Sequence, residues 1–442
     1  MATQSNTNKT GKYGDLSRRL VFLLLALVVY RVGAHIPVPG IDSQQLQQLF
    51  NGQQGGILNL FNMFSGGALS RFTVFALGIM PYISASIIMQ LMSSVDKRLE
   101  NLKKEGEQGR KQINQYTRYL TVGLAAFQAY GIAIGLESSR AATAGAVVFD
   151  PGWFFRVSTV ITLVGGTMFL MWLGEQITQR GVGNGTSLII FAGIVAGLPG
   201  AISNLFALGK EGAISTFQLL ALIIMMLVTV AAIVFMERAQ RRLLITYPKR
   251  QVGNRVYEGQ TSFLPLKLNT AGVIPPIFAS SLLLLPTTIS SFAAQSGSVG
   301  WVATFAAYLG HGRPLFMVAY AALIVFFAFF YTAVVFNPAE TADNLKKQGG
   351  FIPGIRPGER TAEFIDKVLS RITVLGAGYL VIICMLPELL VSQAALPFYF
   401  GGTSLLIVVS VTMDTVAQIH GHLLAHQYEG LVKKAKLKGG RR

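Results

Sequence analysis

The sequence predicts an all-α polytopic membrane protein with ten transmembrane helices in two inverted five-helix halves around a central pore, and three observations predict it. Hydrophobic residues fill 52% of the 442 positions and charged residues 13%, about half of the roughly 25% charged residues usual in soluble domains. Mean hydropathy is +0.50, more apolar surface than soluble domains can bury. Apolar runs of about 20 residues, enough to cross about 30 Å of hydrocarbon, recur along the whole chain, and a segment of the second run is repeated in the seventh.

The ten runs cover approximately 19 to 36, 72 to 95, 115 to 136, 153 to 175, 186 to 207, 214 to 236, 269 to 291, 314 to 336, 369 to 390 and 398 to 424. They are too long for barrel strands, and in lipid a helix satisfies its own backbone. Arg18 and Arg19 before the run Leu20 to Tyr30 resemble the start of a signal peptide, but no small-residue cleavage site follows, so this run is expected to stay as the first span. Of the 37 Lys and Arg, 31 fall at the amino terminus, in alternate connections and in the carboxyl tail, and 6 lie on the other side. That asymmetry places both termini in the cytoplasm. The expected organisation is a cytoplasmic stretch 1–18, a first half 19–207, a second half 208–424 and a basic cytoplasmic tail 425–442.

The repeat aligns Gly78-Ile79-Met80-Pro81-Tyr82-Ile83-Ser84-Ala85-Ser86 with Gly272-Val273-Ile274-Pro275-Pro276-Ile277-Phe278-Ala279-Ser280, with glycine, proline, isoleucine, alanine and serine in register. The two copies lie an odd number of spans apart, so the halves enter the membrane in opposite senses, the mark of an inverted repeat that encloses a path at its interface. Paired prolines strengthen the match, because proline inside a helix costs about 3 kcal/mol and needs a reason.

Between the first two spans, Ile57 to Leu69 is apolar but too short to cross. It is either a re-entrant element filling a cavity or an amphipathic helix on the outer surface. Two cytoplasmic connections, 237–268 and 337–367, are unusually long, and long loops tend to be functional. Their clusters Arg238, Arg241, Arg242 and Lys249, Arg250 are either topogenic charge beside anionic lipid or a docking surface for an acidic partner such as ribosomal RNA or an acidic protein face.

No catalytic constellation is present. Gly181-Val182-Gly183-Asn184-Gly185 lacks the third glycine of a dinucleotide fingerprint and the lysine of a phosphate loop, and reads as a turn between spans. The lone Cys384 excludes an intrachain disulfide and cysteine-cluster metal sites. His420, His422 and His426 read as a solvated helix end rather than a metal site, and no cofactor is expected. Gly131-xxx-Gly135 and Gly193-xxx-Gly197 read as close helix packing. Asp414 is the one ionisable residue well inside a span, which weighs against the rival reading, a secondary transporter of a small solute built on the same repeat.

Four segments carry a resemblance: Phe61 to Ser70, Ala76 to Ser84, Asn337-Pro338-Ala339-Glu340-Thr341-Ala342-Asp343-Asn344-Leu345, and Pro353-Gly354-Ile355-Arg356-Pro357-Gly358-Glu359. Through them the chain resembles the SecY/Sec61-alpha family, the central subunits of the Sec protein-translocation channel, over essentially its whole length. The resemblance implies an hourglass pore closed midway by an aliphatic ring of Ile79, Ile83, Ile190, Ile277 and Ile407, with Thr186 standing where the family often has another aliphatic residue. It implies a plug over 57–71, including Ile57, Phe61, Asn62, Phe64, Gly66 and Gly67, and a lateral gate between the second and seventh spans with Ser84, Gln128 and Asn269 as polar residues. Arg356, Arg255, Arg250 and Arg242 would serve motor or ribosome docking, although Asn254 stands where relatives often carry arginine. The implied partners are SecE-like and SecG-like small membrane subunits, a SecA-like ATPase motor, the ribosome, signal-peptide-bearing precursors and membrane lipid. The implied function is a passive protein-conducting channel of the bacterial inner membrane, not an enzyme, that passes unfolded secretory polypeptides and releases membrane segments laterally into lipid.

Overall fold

The computed structural model of the chain describes residues 14–42, 45–46, 62, 64–138, 148–210, 215–248, 250–252, 255–257, 261–283, 314–394 and 402–439. They fall into two compact units. The first takes in the described parts of Met1–Asn204 and Val411–Arg442, and the second those of Leu205–Leu284 and Tyr308–Ser410.

Elements α1 (Gly14–Gly33), α2 (Met80–Val95), α3 (Lys97–Lys104), α4 (Glu107–Ser138), α5 (Trp153–Arg180) and most of α6 (Gly185–Lys210) belong to the first unit. The second holds α7 (Thr216–Arg238), strands β1 (Gln240–Thr246), β2 (Arg250–Val252), β3 (Arg255–Tyr257) and β4 (Thr261–Lys267), then α8 (Ile274–Leu283), α9 (Pro314–Val335), α10 (Pro338–Gln348) and α11 (Glu359–Ala394). Helix α12 (Gly402–Gly439) has residues in both. Among the described residues seven helices are long and apolar enough to cross a membrane, and α2 and α8 are shorter apolar helices. These, with α1, occupy all ten expected spans; of the seventh, 269–291, the described part ends at Leu283.

In the first unit, α4 and α5 form an antiparallel pair. Ala125, Ala129 and Ala133, four residues apart and each 0% exposed, line one face of α4, where small side chains permit close approach. The pair is tied near both ends. Arg118 Nη2 lies 2.6 Å from Glu175 Oε2. At the other end Arg156 Nε and Nη2 donate to Glu137 Oε2 at 2.8 and 2.6 Å, while Glu137 Oε1 accepts the Gly152 N–H at 3.1 Å.

The repeat is visible in the backbone. Gly78 and Gly272 have φ of 57° and 63°, a left-handed conformation that glycine adopts without strain, and each stands two positions before its helix. Pro81 and Pro275 therefore sit in the first turns of α2 and α8, where the missing N–H is one that no helix bond would use. The interior-proline penalty invoked for the sequence does not apply. The second span, expected from 72, is helical only from Met80, because Phe72 (φ 44°) and Gly78 turn the chain before it.

The connection 237–268 is more than a loop. β1 and β4 pair antiparallel from Gln240↔Lys267 to Thr246↔Thr261, and β2 pairs with β3 beyond them. Thr246 and Phe351 exchange backbone hydrogen bonds of 2.9 and 3.0 Å, which joins this ribbon to the 337–367 connection. Leu243, Ile245, Leu266, Leu345, Ile352, Ile365, Val368 and Ile372 share one buried core. The two long connections fold as one module. Within it Asn337 caps α10, its side chain accepting from Ala339 and Glu340 N–H at 3.1 and 3.3 Å, and Gly349 ends it at φ 76°, an N-cap and C′ glycine pairing.

Ile365 is 0% exposed in this core, so Ile365→Ala is expected to destabilise the module by about 2–4 kcal/mol. Limited proteolysis checks it. Cleavage rises in both connections if the core is shared, and within 337–367 alone if it is not.

Candidate functional site

The stretch between α1 and α2 forms a compact turn built on its own side chains. Asn62 accepts from both ends of the turn: its carbonyl from Gly67 N–H at 2.7 Å and its side-chain Oδ1 from Ser70 N–H at 2.8 Å. Ser65 Oγ accepts the Leu69 N–H at 3.3 Å and donates to the Asn62 carbonyl at 3.1 Å. Gly66 and Gly67 have φ of 69° and 81°, which side-chain-bearing residues adopt only with strain. Phe64, Ala68, Leu69 and Phe72 are buried. Helix α1 holds the turn from one side, with Tyr30 Oη donating to the Ser65 carbonyl at 3.2 Å and Arg31 Nη1 to the Gly66 carbonyl at 3.3 Å. Burial first, and the neighbouring Arg31 charge second, push the Arg71 guanidinium below its ordinary pKa. Of the residues implied for the plug, Ile57 and Phe61 lie outside the described residues, while Asn62, Phe64, Gly66 and Gly67 all belong to this turn.

The five isoleucines implied for a ring are all buried. Ile79, Ile83 and Ile190 belong to the first unit, at 4%, 7% and 3% exposure, and Ile277 and Ile407 to the second, at 5% and 0%. Ile79 caps α2, and the others lie within the first two turns of α2, α6, α8 and α12. Ile83 and Ile277 occupy equivalent places in the repeat. The Thr186 hydroxyl donates to Asn184 Oδ1 at 2.7 Å, and the same oxygen accepts the Thr186 N–H at 3.1 Å. Its polar atom is thus occupied at the start of α6.

Ser84 on α2 and Gln128 on α4 are buried at 5% and 4%; among the described residues Gln128 Oε1 has no hydrogen-bond partner. Asn269 belongs to the second unit, where its Nδ2 donates to Glu237 Oε1 at 2.7 Å and the Gly272 carbonyl at 3.1 Å. Glu237 was not singled out in the sequence, because it reads there as one more charge at a span end. Arg242 and Arg356 are exposed. Arg250 and Arg255 lie in the β2–β3 hairpin, Arg250 opposite Tyr257 and Arg255 opposite Val252, and their side chains lie outside the description. Asp414, His420 and His422 are exposed on α12. One turn beyond Asp414, Gln418 Oε1 accepts the Gly183 N–H at 2.8 Å, binding the 181–185 turn to this helix.

The SecY family model matches residues 73–416. The protein translocase subunit SecY of Rickettsia felis is 56% identical over 435 residues, covering 98% of this chain and 99% of that one. A solved protein-conducting channel superposes with a TM-score of 0.66 at 18% identity over 93% of each chain. Sec61 in the canine ribosome–channel complex from the endoplasmic reticulum superposes with a TM-score of 0.63 at 17% identity over 93% of each. Fold and relatives define a multi-pass membrane protein that is a subunit of a protein-translocation channel. The chain belongs to the SecY family.

Because Gln128 Oε1 is buried without a partner among the described residues, Gln128→Leu is expected to stabilise the resting protein by about 1 kcal/mol, the cost of an unmet buried acceptor. Thermal unfolding in detergent checks it; a lower melting temperature would mean that this oxygen is bonded.

Proposed function

We propose that the chain is the conducting subunit through which unfolded secretory polypeptides cross the bacterial inner membrane, both termini facing the cytoplasm, with membrane segments released sideways into lipid. The observation that carries this is the internally bonded turn over residues 62–74 held on α1, where the family resemblance assigns the plug. Ile79, Ile83, Ile190, Ile277 and Ile407 form the constriction. Aliphatic side chains grip a passing chain loosely and dewet against ions without offering a binding site. Residues 57–71 close it at rest, and α2 and α8 line the lateral gate, with Ser84, Gln128 and Asn269 as its polar members. The expected halves, 19–207 and 208–424, are the two inverted repeats.

The cytoplasmic module is the docking platform. Its outer ribbon face pairs Leu244 with Phe263, 41% and 55% exposed, beside the exposed Arg242, and a separate turn of the module presents Arg356. A basic surface with an apolar patch suits a SecA-like motor or the ribosome, and the likeness to the canine Sec61 chain supports the second. Small SecE-like and SecG-like subunits complete the channel. The chain performs no bond chemistry; energy comes from the motor's ATP hydrolysis, from chain elongation or from the proton-motive force.

Ile277→Lys is expected to hydrate the constriction and raise the resting ion conductance of membranes containing the channel severalfold. Unchanged conductance counts against the ring. Arg356→Glu should leave the resting conductance unchanged and weaken motor-driven export, most strongly at low salt, where exposed charges are least screened.

A further inference from the structure

Gly193 was read from the sequence as one half of a helix-packing pair with Gly197. The structure separates them. A Cβ at Gly197 would meet nothing within 4 Å, whereas one at Gly193 would lie 2.6 Å from the Phe64 carbonyl oxygen, 3.0 Å from Tyr30 Oη and 3.2 Å from Gly66 N. From the other side, a Cβ at Gly66 would lie 3.1 Å from Gly193 Cα, 3.2 Å from Tyr30 Oη and 3.5 Å from Arg31 Nη1. The turn's backbone thus lies directly on α6 at Gly193, where no side chain intervenes.

Tyr30 is held rigidly for its part. It is 1% exposed and stacks on Phe75 at 6.2 Å and 9°, which in turn stacks on Phe169 of α5 at 5.9 Å and 6°. Gly33, one turn after Tyr30 on α1, leaves the space that the Phe75 ring occupies. The hydroxyl that reaches the Ser65 carbonyl is therefore positioned by packing rather than free to follow the turn.

We infer that Gly193, Tyr30 and Arg31 form a seat that sets how firmly the plug stays closed, Gly193 by permitting backbone contact and Tyr30 and Arg31 by bonding two consecutive plug carbonyls. The inference rests on reading residues 57–71 as the plug. None of the three lies in the ring, so changes here loosen closure without altering the constriction.

The test uses the full chain assembled with its membrane partners and reads two quantities, resting ion conductance and export of a precursor with a crippled signal sequence. Tyr30→Phe, which removes one neutral hydrogen bond, should raise the open fraction roughly fivefold. Gly193→Ala should raise it further, and Gly197→Ala should match the parent. Deleting residues 62–70 should leak in the same assay. If the deletion leaks but Tyr30→Phe and Gly193→Ala behave as the parent, the seat is wrong and the plug stands. If the deletion itself seals, the plug reading fails. Equal leaks from Gly193→Ala and Gly197→Ala would return both glycines to ordinary packing and overturn the seat. Should Gly193→Ala fail to accumulate, Tyr30→Phe decides.

Discussion

A non-helical backbone survives within a membrane protein only where protein, not lipid, satisfies its polar groups. That constraint governs the stretch from Asn62 to Ile79. Its N–H groups turn inward to Asn62 and Ser65, and its exit is stitched to the segment just after α1 by Val38 N–H to the Phe72 carbonyl and Val74 N–H to the Ile36 carbonyl, at 2.9 and 3.0 Å. Gly166 of α5 has no side chain where the Val74 carbonyl approaches it. Around this irregular core the first unit is regular. The α4–α5 pair beside it is tied near both ends by Arg118–Glu175 and Arg156–Glu137.

The second unit solves a different problem. Two long connections rich in charge each contribute part of one core, with Ile245 from the ribbon and Ile352 and Ile365 from the other connection. Gly350 packs against the Tyr247 ring and Ile245 at their junction. Shared burial makes one folded module from sequence that is polar on average.

Much of this was legible in the sequence, and what was not has physical causes. Hydropathy located the spans because in lipid length and apolarity suffice. The repeat was legible because glycine and proline have backbone meanings, and Gly78 and Gly272 indeed share one conformation; the role of Pro81 and Pro275 was misjudged because hydropathy does not show where a helix begins within an apolar run. The ribbon was missed because the Leu243–Ile245 alternation is too short to stand out among arginines. Gly193 and Tyr30 escaped because their partners are backbone atoms of a distant segment, which no spacing rule connects. Thr186 stands where the family often has an aliphatic residue, and its bond to Asn184 is a local contact that the family pattern does not show.

The central claim is that a polypeptide passes through the middle of this chain, and site-specific crosslinking to a precursor stalled during export tests it most directly. With Cys384 replaced by serine, one variant carries a single cysteine at Ile277 and another at Leu227, an exposed residue of α7. The account predicts precursor adducts at 277 and none at 227. Absence of an adduct at 277, with export working and the cysteine shown to react, or equal adducts at both positions, would contradict it.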